Sequence, residues 1–362
     1  MADNIRYMVC VRCMTYNQSA YIEDSLNGFC IQDTDFPFVC VIVDDASTDG
    51  EPEVVKKYLD NNFCVADDEI LKQEETDDYF LTFAQHRTNK NCFFAVYYLK
   101  YNHWGKKDKV PYYQDLLDNS EFVAICEGDD YWIDARKLQK QVEYMEANPR
   151  FTMICNRTKL FSERGKKYIG ETYCYKKDQI AVPKDVIQRG GLFISTCSIL
   201  HRRSIIENYP DYCKRCSVGD YPLQIMAAMK GYIYYIDEPM SVYRVENSSS
   251  WMGKQEWCSP SPKRIKTVQS IISMFEGFSI DYPEYTLYFK QEIAQYINSS
   301  IPNWRFSMKE VDFFLNHFQT QIENYSFWWK VDMMIMKVRI PYVRGIYSLI
   351  FKRQFEALKT KR

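Results

Sequence analysis

Three apolar runs, each closed by a polar turn and followed by a segment of helical spacing, constrain the fold of this chain more than any other feature of its sequence. Residues 7–13 are apolar but for Arg12, and Thr15-Tyr16-Asn17 turns the chain ahead of a helical pattern over 21–31. Residues 38–43 form the second run, closed by Asp44-Asp45-Ala46-Ser47-Thr48-Asp49-Gly50 before a helical stretch over 51–59. The third, 121–126, ends in Glu127-Gly128-Asp129-Asp130-Tyr131-Trp132, and beyond it Leu138, Val142 and Met145 recur at helical spacing. Continuous rather than alternating hydrophobicity marks strands buried on both faces, and helices between such strands predict an α/β fold with a mostly parallel central sheet. Residues 151–156 and 193–200 read as further strands, 222–229 as a helix, and 232–243 as one or two short strands. Between the second and third units, 74–119 is polar, aromatic and irregular, with a basic loop at 106–109; it is expected to be helix and loop covering the sheet edge. From about residue 260 the pattern turns helical, so a domain over 1–255 followed by a helical region over 256–362 is expected.

Composition excludes several classes. Hydrophobic residues make up 46% of the 362 and aromatic residues 16%, enough to build a large core, which argues against disorder. A formal net charge of −2 gives no sign of a nucleic-acid binder. The thirteen cysteines are odd in number and lie within apolar stretches, as reduced, buried thiols of a cytosolic protein would. Cys213 and Cys216 have C-x-x-C spacing, but no second pair completes a zinc site. His86, His103, His201 and His317 are too dispersed to suggest a metal site. The first residues lack the apolar core of a signal peptide, and no stretch is long and charge-free enough to span a bilayer, so the expected compartment is the cytosol.

The chemistry lies in two carboxylate clusters just past strand ends: Asp44 and Asp45, then Glu127, Asp129 and Asp130. In an open α/β sheet that edge is where ligands bind. Carboxylates gathered at close range repel unless a cation or hydrogen-bond donors offset them. A hard divalent ion, Mn²⁺ or Mg²⁺, suits such oxygens and completes its shell with substrate phosphates and water, which implies a diphosphate-bearing substrate. Read alone, the first cluster is equally a strand-ending turn with a helix cap; two clusters at two strand ends make that reading harder to sustain. Neither G-x-G-x-x-G nor G-x-x-x-x-G-K-[ST] follows any predicted strand, so phosphates must be handled without a glycine-rich cradle.

Residues 9–17, 41–49 and 124–141, in this order and separation, resemble the inverting family 2 glycosyltransferases with a GT-A fold, of the bacterial surface-polysaccharide type. The likeness is strongest from Cys126 to Asp134 and on through Lys137-Leu138-Gln139-Lys140-Gln141, and it covers roughly 5–250. The resemblance implies that 1–255 is a Rossmann-like nucleotide-binding catalytic domain, in which Tyr16 and Asp45 contact the nucleobase. It also implies that the acidic motif holds ribose and metal, which places Asp44, Glu127 and Asp129 among the nucleotide-sugar contacts and makes Asp129 or Asp130 the metal ligand. Glu127 stands where many relatives carry aspartate. Gly219-Asp220-Tyr221-Pro222 resembles the segment whose aspartate is the general base, so Asp220 is the expected base; read alone, Asp220 caps the helix that Pro222 opens. Arg244, in Ser241-Val242-Tyr243-Arg244, is open to two readings, a partner for the diphosphate or a structural ion pair. The histidine and glycines that often follow this arginine are replaced by Val245-Glu246-Asn247-Ser248, and Asn89-Lys90-Asn91-Cys92 stands in place of a compact Asn-x-Gly turn.

The end of the chain carries a separate signal. Residues 327–362 hold nine Lys or Arg against two acids, a net +7 that leaves the remainder at −9. With interleaved Trp328, Trp329, Tyr342, Tyr347 and Phe351, this basic tail suits an amphipathic helix on an anionic membrane surface; the plainer alternative is a packed helix with a solvated basic face. The combined expectation is a metal-dependent hexosyltransferase at the inner face of the cytoplasmic membrane. It would use a nucleotide-sugar donor, UDP-linked by preference, and a saccharide or lipid-linked saccharide acceptor. The rivals are a sugar nucleotidyltransferase, which lacks its triphosphate loop here, and a catalytically inactive scaffold.

Overall fold

The computed structural model describes residues 5–66, 70–246 and 262–300, with 316 and 318. By internal contact the chain divides into two units, Met1–Tyr209 with Leu223–Lys254, and Pro210–Pro222 with Gln255–Arg362. In the first unit, β1 (Tyr7–Thr15), α1 (Ile22–Cys30), β2 (Phe38–Asp44) and α2 (Glu51–Asn62) realise the two βα units read from the sequence. Then come β3 (Lys72–Glu75), β4 (Tyr79–Gln85), β5 (Cys92–Leu99), the short α3 (Gln114–Asp118), β6 (Ser120–Ile125), β7 (Tyr131–Trp132) and α4 (Lys137–Ala147). The remainder is β8 (Phe151–Ser162), β9 (Lys167–Thr172), β10 (Gln179–Ile180), α5 (Pro183–Gln188), β11 (Leu200–Arg202), α6 (Asp211–Lys214), α7 (Asp220–Lys230) and β12 (Tyr232–Val245). Of these, α6 belongs to the second unit, and α7 begins there and runs on into the first.

Among the described residues the strands form one twelve-stranded sheet, with main order β10-β12-β8-β11-β6-β1-β2-β5-β4-β3. Its centre, β6-β1-β2-β5, is parallel, and so is the β8-β12 pair, while the edges and the inserted β11 are antiparallel. The sheet is therefore mixed around a parallel core. β2 is buried along its whole length, as its unbroken apolar run predicted. Cys40 and Ile42 pack on one face with Leu26, Phe29, Val55, Leu59, Leu138 and Val142 of α1, α2 and α4. Val39, Val41 and Val43 pack on the other with Tyr97, Tyr113 and Leu117. Both faces are thus covered, as a parallel sheet requires.

Two expectations fail here. Residues 74–119 are not only helix and loop: β3, β4 and β5 extend the sheet, and β5 pairs in parallel with β2 over Phe38–Asp44. Aromatic side chains there fill a sheet face, Tyr79 meeting Tyr97 edge-on at 5.2 Å, which is why a segment that reads as irregular is extended. Residues 193–200 are two single 3₁₀ turns, Gly191–Phe193 and Thr196–Ser198, leading into the three-residue β11. Gly190, at φ 74°, and the Ser-Thr-Cys-Ser run favour turns over a ladder.

The second unit is helical where it is described. α8 (Pro262–Asp281) and α9 (Thr286–Ser300) pack together through Phe275, Phe278 and Phe289, with Phe278 and Phe289 stacked at 5.7 Å. A Cβ on Gly277 would overlap the Tyr212 ring, so α6 approaches α8 closely. No helix among the described residues is long and apolar enough to cross a membrane. The basic tail over 327–362 lies outside the described residues.

Candidate active site

The parallel register brings three strand ends to one edge: Thr15 lies opposite Asp44, and Arg12 opposite Ile125. The loops leaving β1, β2 and β6 therefore meet, carrying Tyr16, Asp45 and Glu127. Loop to loop, the contact is made by hydrogen bonds. Asp45 N–H donates to Thr15 O at 3.0 Å and Gly128 N–H to Met14 O at 3.2 Å. Asn17 N–H donates to Ser47 Oγ and Thr48 N–H to Asn17 Oδ1, both at 2.8 Å. Asn17 (φ 56°) and Ala46 (φ 61°) hold left-handed conformations that bend the two loops toward each other.

Glu51, which no sequence motif singles out, ties this corner together. Fully buried in the first turn of α2, it accepts from Gln18 N–H at 2.8 Å, from Ser47 Oγ at 2.9 Å, and from the Thr15 hydroxyl. Burial raises its pKa against the lowering pull of these donors. One of two acids in the first turn, with Glu53, it looks like an ordinary dipole-favoured residue, so only its position after Asp49-Gly50 could have flagged it.

Asp44 is buried, its carboxylate accepting Ser47 N–H at 3.0 Å, and desolvation raises its pKa. This is the turn-and-cap role that the cluster allowed. Asp45 is equally buried but reaches across to the loop after β5. It accepts His103 N–H at 2.7 Å and pairs with Lys109 Nζ at 2.8 Å, while its carbonyl accepts Asn102 Nδ2 at 3.1 Å. Lys109 belongs to the basic loop noted in the sequence. Tyr16, half-buried, stands at the head of the β1 loop.

The acidic motif is held on all sides. Glu127 accepts Met14 N–H at 3.2 Å; burial pushes its pKa up to about 7, with Arg12 opposing and Asp129 reinforcing the rise. Gly128 admits no side chain, since a Cβ would lie 2.5 Å from Gln18 Oε1 and would overlap Thr15 Oγ1. Ser25 Oγ, from α1, donates to the carbonyl oxygens of Gly128 and Asp130. Asp130 is buried beneath the loop, where it accepts Arg244 N–H at 2.9 Å; desolvation first and then the nearby Asp129 hold its pKa well above the usual range. Asp129 is the half-exposed member of the pair.

Arg244 is 4% exposed and occupied by protein. Its Nε donates to Glu163 Oε1 at 2.7 Å, Nη1 to Asp129 O at 2.7 Å, and Nη2 pairs with Asp24. The ion pair that was one of the two readings is thus present in the structure. Asp220, the first residue of α7, accepts Tyr221 N–H at 2.8 Å and lies in the 210–222 segment that groups with the second unit. Cys213 and Cys216 are not joined in a disulfide.

Among the described residues no three His, Cys, Asp or Glu side chains gather as a closed metal cage. The edge instead offers two partly exposed carboxylates, Glu127 and Asp129, with the buried Asp130 behind them. That donor set fits a hard cation that brings most of its ligands with its substrate.

An α/β sheet with a parallel centre and acidic loops at its carboxyl edge is the architecture of the GT-A fold. Comparison with solved structures gives the same fold: Staphylococcus aureus TarS, residues 1–349 in complex with UDP, superposes with a TM-score of 0.59 at 16% identity, over 96% of this chain and 91% of that one. A second crystal structure of the same TarS fragment also gives 0.59, at 13% identity and the same coverage. Residues 10–70 match the family described as glycosyl transferase family 2, in line with the resemblance read from the sequence. Uncharacterized proteins of Mycobacterium tuberculosis and Mycobacterium bovis are 29% identical over 269 residues, 73% of this chain and 68% of theirs.

Proposed function

We propose that this glycosyltransferase moves a hexose-type sugar with inversion from a nucleoside-diphosphate sugar, UDP-linked by preference, to a saccharide acceptor, lipid-linked and destined for surface polysaccharide. The observation that carries the reading is the half-exposed Asp129 at the meeting point of three strand-end loops, backed by Glu127 and Asp130. The complex of TarS with UDP supports the choice of donor.

In this reading Tyr16 and the Asp45–Lys109 pair face the nucleobase, Glu127 the ribose, and Asp129 holds Mn²⁺ or Mg²⁺. Asp130 is buried beneath the loop and accepts Arg244 N–H, whereas Asp129 reaches the surface, which favours Asp129 as the direct ligand. The metal, when bound, neutralises the diphosphate and stabilises it as a leaving group. Asp220 takes the proton of the acceptor hydroxyl as that oxygen bonds to the anomeric carbon. The bond from that carbon to the phosphate oxygen breaks, and its electron pair departs with the nucleoside diphosphate. A helix start is a rigid place to hold such a base.

The test is calorimetric titration of UDP into the full chain, with Mn²⁺ and with chelator. UDP should bind at least about tenfold more tightly with Mn²⁺, because carboxylates and diphosphate otherwise meet as bare like charges. Equal affinity in the two conditions sinks the metal role; no binding of UDP or GDP in either sinks the donor assignment.

A further inference from the structure

Arg244 meets the acidic motif twice, by two different parts of itself. Its backbone N–H donates to the Asp130 carboxylate at 2.9 Å, and its guanidinium donates through Nη1 to the Asp129 carbonyl at 2.7 Å. The remaining edges of the fork are fixed by Glu163, at the end of the β8 strand, and by Asp24, in the first turn of α1. The rings of Tyr21 and Tyr131 lie 5.2 and 4.6 Å from the guanidinium carbon, adding a cation–π contact from each. Three elements and the motif thus converge on one planar cation that is 4% exposed. A lysine cannot reproduce this, because it has no rigid fork to satisfy three acceptors in fixed directions.

We infer that Arg244 is a positioning residue for the metal-binding carboxylate: it fixes the Asp129–Asp130 peptide and so aims the Asp129 side chain, without touching the donor itself. Holding the Asp129 carbonyl sets the orientation of the peptide plane that follows, while the bond to Asp130 anchors the next residue. Between them they leave the Asp129 backbone little freedom to turn. The charge serves the same end, since a buried cation among Asp24, Glu163, Asp129 and Asp130 offsets repulsion that would otherwise splay the loop. The inference rests on Asp129 as the metal ligand.

The experiment compares UDP titrations in Mn²⁺ and in chelator for the wild type, Arg244→Lys and Asp24→Asn. Loss of a supporting partner of a metal ligand commonly costs roughly 10- to 100-fold in metal affinity. Arg244→Lys should therefore weaken Mn²⁺-dependent UDP binding by on the order of tenfold and raise the Mn²⁺ concentration needed for half-saturation, while binding in chelator stays within about twofold. Asp24→Asn, a change at a half-exposed side chain, removes one edge of the fork and should shift the metal-dependent affinity in the same direction by less. If Arg244→Lys does not fold, Asp24→Asn decides alone. An unchanged metal dependence in a folded variant, or equal weakening with and without Mn²⁺, overturns the inference and leaves the glycosyltransferase reading standing. A wild type that binds UDP equally in both conditions overturns the metal site and the inference with it.

Discussion

At the residue scale the acids of the site separate by environment. Asp44 and Asp130 are inside, their carboxylates turned onto N–H donors of the chain, while Asp129 stays half-exposed. Asp220 is a different case: its cap-like bond to Tyr221 N–H is local and compatible with a catalytic role, so only a measurement of turnover separates the two. Asp220→Asn keeps the shape and the acceptor oxygen while removing the base. It should lower kcat by roughly 10²- to 10⁴-fold with nucleotide affinity and melting temperature near wild type. Near-normal turnover with a competent acceptor would assign the base elsewhere. The acid clusters were legible because a sheet concentrates ligand chemistry at strand ends, which a sequence marks by an apolar run stopping in carboxylates. Glu51 was not, because two of its three partners, Gln18 and Thr15, lie 33 and 36 residues back in the chain. The Arg244 ion pair could be found only by seeing which groups surround it.

At the element scale the site depends on how closely α1 crosses the short β7 strand. Gly28 makes that approach possible, since a Cβ there would fall 2.8 Å from Trp132 N and 2.9 Å from Trp132 O. Both obstacles are backbone atoms, so the helix or the strand must move. Phe29 of α1 then packs edge-on to the Trp132 ring at 5.0 Å, and Trp132 Nε1 donates to Cys197 O at 2.8 Å, so a shift would reach the acidic motif just before it. Gly28→Ala should cost about 1–3 kcal/mol by overpacking. Urea unfolding of the two proteins measures it; a difference below about 0.5 kcal/mol, the size of an ordinary surface change, would mean that the crossing has room for a methyl group after all. The βα units here were readable from periodicity alone, whereas β3 to β5 were not. β3 is wholly polar and β4 sets Thr82 and Gln85 among aromatic residues, while β5, although an apolar run as continuous as β2, is embedded in that polar stretch; long-range pairing decides a conformation that local pattern leaves open.

At the scale of the whole molecule, charge is unevenly distributed along the chain. The tail over 327–362 carries net +7 and the remainder −9, so the acidic residues proposed to serve a metal and a diphosphate are separated in sequence from the residues suited to an anionic surface. A chain acting on a lipid-linked acceptor gains from a weak, reversible hold on the membrane, which raises the local concentration of acceptor without trapping the enzyme. Each Lys or Arg near an anionic surface contributes about 1 kcal/mol, screened over roughly 8–10 Å at ordinary ionic strength. Several acting together therefore suffice at low salt and fail at high salt. Full-length protein should sediment with phosphatidylserine-containing vesicles in about 50 mM salt, should be released by about 500 mM, and should ignore vesicles of phosphatidylcholine alone. Replacing Lys352, Arg353, Lys359, Lys361 and Arg362 by glutamine should abolish sedimentation while UDP binding in Mn²⁺ stays unchanged. Sedimentation that persists in that variant, or that is indifferent to lipid charge, would show that the basic tail is not what brings this protein to a membrane.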